Sequence, residues 1–408
     1  MNRGRRTRAA WLVIAFVSFT LTAAACGSRE SDVAKADAAI DGVGPVVWFS
    51  AEKINLQPPR CASAIVLEVD SGTILYAYNE HARRPPASVA KTMLELVVLD
   101  EVEAGRLALT DSIRVSAWAS RIGGSQVYLS EGEVFSLEEM LHAIVIASAN
   151  DACVAVAEHI AGTADGFVEM MNERAQKMGL KETYFINTHG LDDEPGEGNV
   201  TSAHDLAQIA RELVRHEHVL EWSSIPEAPF RNGTFRLINT NKMLGDFQGM
   251  DGLKTGFTDK AGFCLSATAE RKGLRLVSVV MGAQTSRIRF QETARLLAAG
   301  FNGVARVAAT KKGGDLGLEA MVLRSQGHVI RPQAGQDVTI YVPRSRQDQV
   351  RKDVRLDKKI SAPLKQGQRV GSIEVHVGDE LVATVPAVSN EAVEAKGWRA
   401  WLARKFGG

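Results

Sequence analysis

The sequence predicts an α+β domain followed by a small all-β domain, the first an antiparallel sheet flanked by helices with a helical subdomain. Two observations predict this. Strand-like segments at 65–78 and again at 250–281 bracket a helix-rich stretch from about Leu107 to Leu220, so a first hairpin must join later strands in one sheet around inserted helices. After Phe301 the pattern changes to short β-type runs, such as Val338-Thr339-Ile340-Tyr341-Val342 and Ser372 to Val377, separated by glycines and polar turns.

The chain has 408 residues, 45% of them hydrophobic, with 48 basic and 48 acidic side chains and a formal net charge of zero. This excludes a disordered polyelectrolyte and gives no bulk electrostatic attraction to nucleic acid. At roughly 150 residues per domain the length allows two to three domains with real cores. Four cysteines, at positions 26, 61, 153 and 264, are too few and too scattered for a disulfide framework or a zinc ribbon, although an oxidised pair among the last three stays open.

In chain order, Arg3, Arg5, Arg6 and Arg8 precede an uncharged stretch from Ala9 to Ser28 that contains Trp11-Leu12-Val13-Ile14-Ala15-Phe16-Val17. With Ala23-Ala24-Ala25 ahead of Cys26, residues 1–25 read as a secretory signal peptide. Cys26 then resembles a lipid-attachment site, with Ala23 where such sites usually have leucine, so lipid attachment and ordinary cleavage both stay open. Residues 26–45 lack apolar periodicity and read as a linker.

A domain over 46–302 opens with Ile65-Val66-Leu67-Glu68-Val69, turns at Asp70-Ser71-Gly72 and returns through Thr73 to Tyr78, a hairpin pattern. Pro85-Pro86-Ala87 leads into an apolar helical run from Ser88 to Val102. Leu137, Met140, Leu141, Ile144 and Val145 share a helical face, Ser148-Ala149-Asn150 interrupts it, and a second helix follows to Gly162. Strands are expected at Met250 to Phe257, Cys264 to Ala269 and Leu274 to Met281, then a helix from Ser286 to Ala299. The β-domain covers 303–388. Residues 389–408 form the last segment, in which Trp398, Trp401, Leu402 and Phe406 line one helical face beside Lys396, Arg399, Arg404 and Lys405. Such a helix suits a membrane surface, or docks on its own protein.

Ser88-Val89-Ala90-Lys91 places a hydroxyl at a helix N-terminus with an amine one turn later on the same face, where it gains a helix dipole and a nearby base. To accept a proton at neutral pH that amine must be partly neutral, which burial and a second cation would achieve. A chain of this length holds about one or two Ser-x-x-Lys by chance, and Ser50-Ala51-Glu52-Lys53, without an apolar helix behind it, reads as the accident. Ser148-Ala149-Asn150 lies in a break between helices, where hydroxyl and amide can enter a cleft. Lys254-Thr255-Gly256 lies on a strand, where the glycine lets another backbone approach. Singly each is weak; together and in this order they are a strong signal.

At these three motifs the sequence resembles the serine D-alanyl-D-alanine carboxypeptidases among the low-molecular-mass penicillin-binding proteins. The resemblance extends to Asp70-Ser71-Gly72, Pro86-Ala87, Gly123-Gly124-Ser125, Asp151-Ala152, His189-Gly190-Leu191 and Ala362-Pro363 to Gly371. It implies a penicillin-recognising serine transpeptidase/β-lactamase-like domain with a β-domain behind it. It also implies that Ser88 attacks the carbonyl between the two terminal D-alanines of a peptidoglycan stem peptide, that neutral Lys91 takes its proton, and that Ser148 relays a proton to the leaving D-alanine. Asn150 would bond the substrate amide. Lys254 would hold Lys91 deprotonated and, with Thr255, Gly256 and Arg289, receive the substrate; the N–H groups of Ser88 and Phe257 would form the oxyanion hole. Peptidoglycan stem peptides and β-lactam antibiotics are the implied partners, with no metal and no cofactor, at the periplasmic face of the cytoplasmic membrane.

Two departures stand out. The triplet Asn239-Thr240-Asn241 replaces the Asn-Arg-Asn of many relatives, and Phe257 replaces a histidine of some. No His-Glu-x-x-His occurs, and His216 and His218 are expected to face solvent. A β-lactamase would carry a Glu-x-x-Leu-Asn loop that is not found after Asn150. A D,D-endopeptidase and a catalytically retired peptidoglycan-binding scaffold are the remaining alternatives.

Overall fold

The computed structural model describes residues 46–48, 54–192 and 198–395. The signal-peptide and linker readings, Cys26, the second Ser-x-x-Lys and the aromatic face after Lys396 therefore lie outside the described residues.

The first elements are β1 (Val46–Trp48), β2 (Ser63–Glu68), β3 (Ile74–Tyr78) and α1 (Lys91–Glu103). A small hairpin of β4 (Ser112–Arg114) and β5 (Val134–Ser136) leads into α2 (Leu137–Ala147), α3 (Asn150–Ala161), α4 (Ala164–Lys177), α5 (Ala203–Leu213) and α6 (Glu217–Ser223). A second hairpin, β6 (Glu227–Phe230) and β7 (Phe235–Ile238), precedes β8 (Met250–Thr258), β9 (Gly262–Arg271), β10 (Leu274–Ala283) and α7 (Ser286–Gly303).

Local chemistry sets these boundaries. Ser136 and Glu139 cap α2 reciprocally, side chain to backbone in both directions. Gly162 ends α3 in the left-handed conformation, and Thr163, Ser202 and Thr285 cap α4, α5 and α7 through their hydroxyls.

The sheet is five-stranded in the order β3-β2-β10-β9-β8, antiparallel throughout, so the hairpin at the start pairs with strands that arrive some two hundred residues later. Period-two alternation divides its faces. Ile65, Leu67, Val277 and Val279 join a large core with α1, α2, α3 and α5. Ala64, Val66, Leu276 and Val280 point the other way, onto Leu296 and Leu297 of α7. The helical insertion and the catalytic motifs thus share one face, and α7 backs the other.

Beyond α7 follow β11 (Val304–Thr310), the short β12 (Ala320–Met321), β13 (Val329–Ile330) and β14 (Gln333–Ala334), then β15 (Val338–Pro343), β16 (Val350–Leu356), β17 (Arg369–Val377) and β18 (Glu380–Val388). They form sheets ordered β1-β15-β11 and β14-β18-β17-β16 over a core that includes Ile340, Ile373, Val375 and Val385. The β1 strand therefore pairs, in parallel, with the β-domain and not with the five-stranded sheet. Tyr341 of β15 is buried in the core behind α7, and its hydroxyl donates to Asp70 Oδ2 at 3.2 Å. The Asp70-Ser71-Gly72 turn is held from the helical side too, because Arg211 donates to the Val69 and Asp70 carbonyls.

Three readings need correction. Ser88 lies in a 3-10 turn, Ala87–Ala90, and α1 begins only at Lys91, because this turn closes through an i to i+3 bond, from the Val89 N–H to the Pro86 carbonyl at 3.3 Å. The last segment is not helical at 389–395: Val393 exchanges backbone hydrogen bonds with Leu364 and packs in a small β-domain core. His216 is buried rather than solvent-facing, with Nδ1 2.7 Å from a Glu103 oxygen and Nε2 3.5 Å from Asp100. Cys61, Cys153 and Cys264 are free thiols. Among the described residues no helix is long and apolar enough to cross a membrane.

Candidate active site

Lys91 is the centre of the site. As the first residue of α1 it is fully buried. Its Nζ lies 3.0 Å from Ser88 Oγ, 3.1 Å from Ser148 Oγ, 3.0 Å from the Ser148 carbonyl and 2.6 Å from Asn150 Oδ1. The last two atoms can only accept hydrogen bonds. They account for both N–H donors of a neutral amine and leave its lone pair for a hydroxyl.

The break between α2 and α3 delivers the second motif. Ser148 ends α2 in the left-handed conformation at φ 64°, which turns its hydroxyl back towards Lys91, and Asn150 opens α3. Asn150 Nδ2 donates to the Gly123 carbonyl at 2.7 Å, and its backbone N–H donates to Ser125. Asp151 anchors the same loop by accepting from the Val127 and Leu129 amides.

The third motif closes the site from β8. A Cβ on Gly256 would stand 2.8 Å from the Pro86 carbonyl oxygen and 2.9 Å from the Ser88 nitrogen, so only glycine lets this strand lie against the Ala87–Ala90 turn. The opposite wall needs a glycine as well: Gly190 has φ +86°, and a Cβ there would fall 2.0 Å from the Ala87 carbonyl oxygen. Lys254 is buried, with Nζ donating to the Thr255 carbonyl at 3.1 Å. Thr255 Oγ1 donates to Thr240 Oγ1 at 2.7 Å, so Thr240, where many relatives are expected to carry arginine, contacts the motif through a hydroxyl instead.

Arg289 reaches the same strand from α7. It is buried rather than a solvated helix charge, donates to the Gly256 and Cys264 carbonyls at 3.2 and 3.3 Å, and lies over the Phe263 and Phe290 rings. Burial pulls its pKa down to about 10. The Phe257 side chain is half exposed and stacks on Phe263, which leaves the residue's backbone as the part nearest the motif.

The electrostatics correct one expectation. Burial is the leading cause that lowers the Lys91 pKa, ahead of any neighbouring cation. The charge effect runs in the other direction: burial, and then Lys91, pull Lys254 down to about 7.

A third ionisable group, which the motif reading passed over, lies in this cluster. Glu95, one helical turn beyond Lys91, is buried with no hydrogen-bond partner for Oε1. Burial raises its carboxyl to about 7, while Lys254 and then Lys91 oppose that rise. A carboxylate inside the otherwise apolar 93–99 run was the available sequence signal.

This arrangement has known counterparts. The D-alanyl-D-alanine carboxypeptidase family matches residues 52–285, and the C-terminal domain of penicillin-binding protein 5 matches residues 312–395. The chain belongs to the D-alanyl-D-alanine carboxypeptidase family. It is 36% identical to D-alanyl-D-alanine carboxypeptidase DacD of Escherichia coli, over 85% of this chain and 91% of that protein. Penicillin-binding protein 6B from Escherichia coli superposes with a TM-score of 0.66 at 32% identity, over 83% of this chain and 98% of that one. Penicillin-binding protein D2 from Listeria monocytogenes in its ampicillin-bound form gives 0.56 at 34% identity, over 60% of this chain and 99% of that one.

As a serine-type carboxypeptidase of this family, the enzyme hydrolyses the terminal D-alanyl-D-alanine bond of peptidoglycan stem peptides. The endopeptidase and retired-scaffold readings are not favoured by these relatives.

Proposed function

We propose that Ser88 is the nucleophile and Lys91, as a free amine, its general base. Ser88 Oγ attacks the penultimate D-alanine carbonyl and its proton passes to Lys91 Nζ. The oxyanion forms against the N–H groups of Ser88 and Phe257, and collapse expels D-alanine, which receives its proton through Ser148. Water then hydrolyses the ester and restores Ser88. Asn150 aligns the substrate amide, Lys254 and Thr255 attract the terminal carboxylate, and Arg289 acts behind Gly256. One observation carries the reading: the two pure acceptors on Lys91 Nζ leave a lone pair for the hydroxyls of Ser88 and Ser148.

A β-lactam occupies the same site in this reading, because its strained amide mimics the scissile bond and its acyl group leaves slowly. Intact-mass analysis with a penicillin tests the assignment. Wild type gains one acyl mass at Ser88 and Ser88→Ala gains none; an adduct in the variant, or one mapped to Ser50, refutes it.

The reading extends to the cell envelope. Residues 1–25 direct export, 26–45 tether the enzyme, the five-stranded sheet and its helices up to 302 form the catalytic domain, 303–395 with β1 the β-domain, and the aromatic end after 395 rests on the membrane surface, at the periplasmic face. Lipid attachment at Cys26 would supplement that anchor. The sequence pattern of Trp398, Trp401, Leu402 and Phe406 supports it.

A further inference from the structure

Outside the active site, three side chains that can ligate a metal converge where three separate segments meet. His81 lies in the turn that follows β3, Glu182 in the loop after α4, and His204 in the first turn of α5. One ligand atom from each lies within 4.8 Å of the others, and His81 Nδ1 is 3.6 Å from Glu182 Oε1. The two imidazole rings lie with centroids 4.7 Å apart, tilted 35° to each other.

The group behind them gives the cluster direction. Asp205 is buried, and its Oδ1 lies 3.0 Å from His204 Nδ1. The same carboxylate accepts from the Glu182 amide and the Thr183 hydroxyl through Oδ2. A carboxylate oxygen 3.0 Å from Nδ1 pairs with that nitrogen as the N–H donor, which leaves the lone pair of His204 on Nε2, away from Asp205. A carboxylate behind a histidine is the arrangement that fixes tautomer and ring orientation in metal sites.

The segments are preset as well. The Arg84 and Thr201 backbones exchange two hydrogen bonds, and the His204 amide donates to the Glu80 carbonyl, so the His81 turn is stitched to the start of α5. Glu182 is fixed to the same helix by its amide bond to Asp205.

We propose that His81, Glu182 and His204 form a site for a zinc-class dication, with solvent as the remaining ligand. Two imidazoles and one carboxylate suit zinc, whereas magnesium prefers an all-oxygen shell. The ion clamps the turn that leads into Ser88 onto α5 and the 182–184 segment. Its charge offsets that of Glu182.

The test uses untagged full-length mature protein, titrated calorimetrically with zinc sulfate and scanned for melting temperature. Wild type binds one equivalent and melts higher with zinc but not with magnesium, and cobalt gives the intense visible bands of a tetrahedral site. His81→Ala and Glu182→Gln, changes at positions outside the core, each weaken binding by more than about 10-fold, and Asp205→Asn by about 10- to 100-fold. The control His218→Gln, at a half-buried histidine outside the cluster, leaves it unchanged. The proposal is overturned if wild type shows no saturable equivalent, if the His81 and Glu182 variants bind as wild type does, or if the His218 control loses the ion equally.

Discussion

Asn150 Oδ1 lies 2.6 Å from Lys91 Nζ, the shortest contact the lysine makes, while the other end of the same amide donates to Gly123. The amide therefore joins the base to the Gly123-Gly124 wall before any substrate arrives. Asn150→Asp keeps the shape and replaces the neutral oxygen by a carboxylate, which favours the ammonium form of Lys91. The acid limb of penicillin acylation moves to higher pH, and acylation at neutral pH falls by about 10²-fold. Stopped-flow acylation rates across pH check this; an unmoved limb would separate Asn150 from the base.

Removing the Glu95 carboxylate has the opposite effect. That carboxylate favours the charged forms of Lys91 and Lys254; Asp151 and Cys153 act on Lys91 in the same direction, Cys153 also does so on Lys254, and Arg289 opposes the charged form of Lys254. Glu95→Gln removes that support, lowers both lysine pKa values, and moves the acid limb to lower pH. The same pH series reads the direction, and a limb that moves upward refutes the role.

Lys254 also leaves a signature in stability. Its pKa falls from 10.5 unfolded to about 7 folded. Between those values the unfolded chain binds more protons than the native one, so the free energy of unfolding rises with pH across that window. Urea melts of wild type and Lys254→Met check it: the slope between pH 7 and 10 flattens in the variant.

Gly256→Ala puts a methyl group 2.8 to 3.0 Å from Pro86, Ser88 and Val89 backbone atoms, without the added strain of a positive φ. The nucleophile turn must shift, and a misplacement on the order of 1 Å costs about 10²-fold in rate. Acylation falls by that factor while the melting temperature changes little. Gly190→Ala adds backbone strain at φ +86° to its clash with Ala87 and loses stability as well, by about 1–3 kcal/mol or more.

Membrane association is tested by ending the chain after Ala395, since Val393 belongs to the β-domain. This truncation removes the aromatic face, shifts mature protein into the soluble fraction, and leaves activity on a soluble pentapeptide intact. Complete sedimentation of the truncated Cys26→Ser protein with membranes would show that the segment is not the anchor.

The sequence alone determined the α+β class, the order of elements, and the three motifs, because period-two and period-3.6 patterns and helix caps are local properties. The hairpin at Ile65–Tyr78, the break at Ser148 and the closing helix from Ser286 were all legible for that reason. It also carried Glu95, as a charge inside an apolar run, without saying what the charge would face.

Only the tertiary structure decided what distance and burial control. Lys91 and Asn150 are 59 positions apart, and their contact exists because the break between α2 and α3 comes up against the first residue of α1. That burial lowers the Lys91 pKa depends on the solvent excluded around it, which no motif encodes. The same holds for His216, whose polar surroundings in the sequence suggested solvent while folding enclosed it between Asp100 and Glu103. Proton affinities and close approaches are properties of the assembled interior, and there the linear order of residues gives no distance.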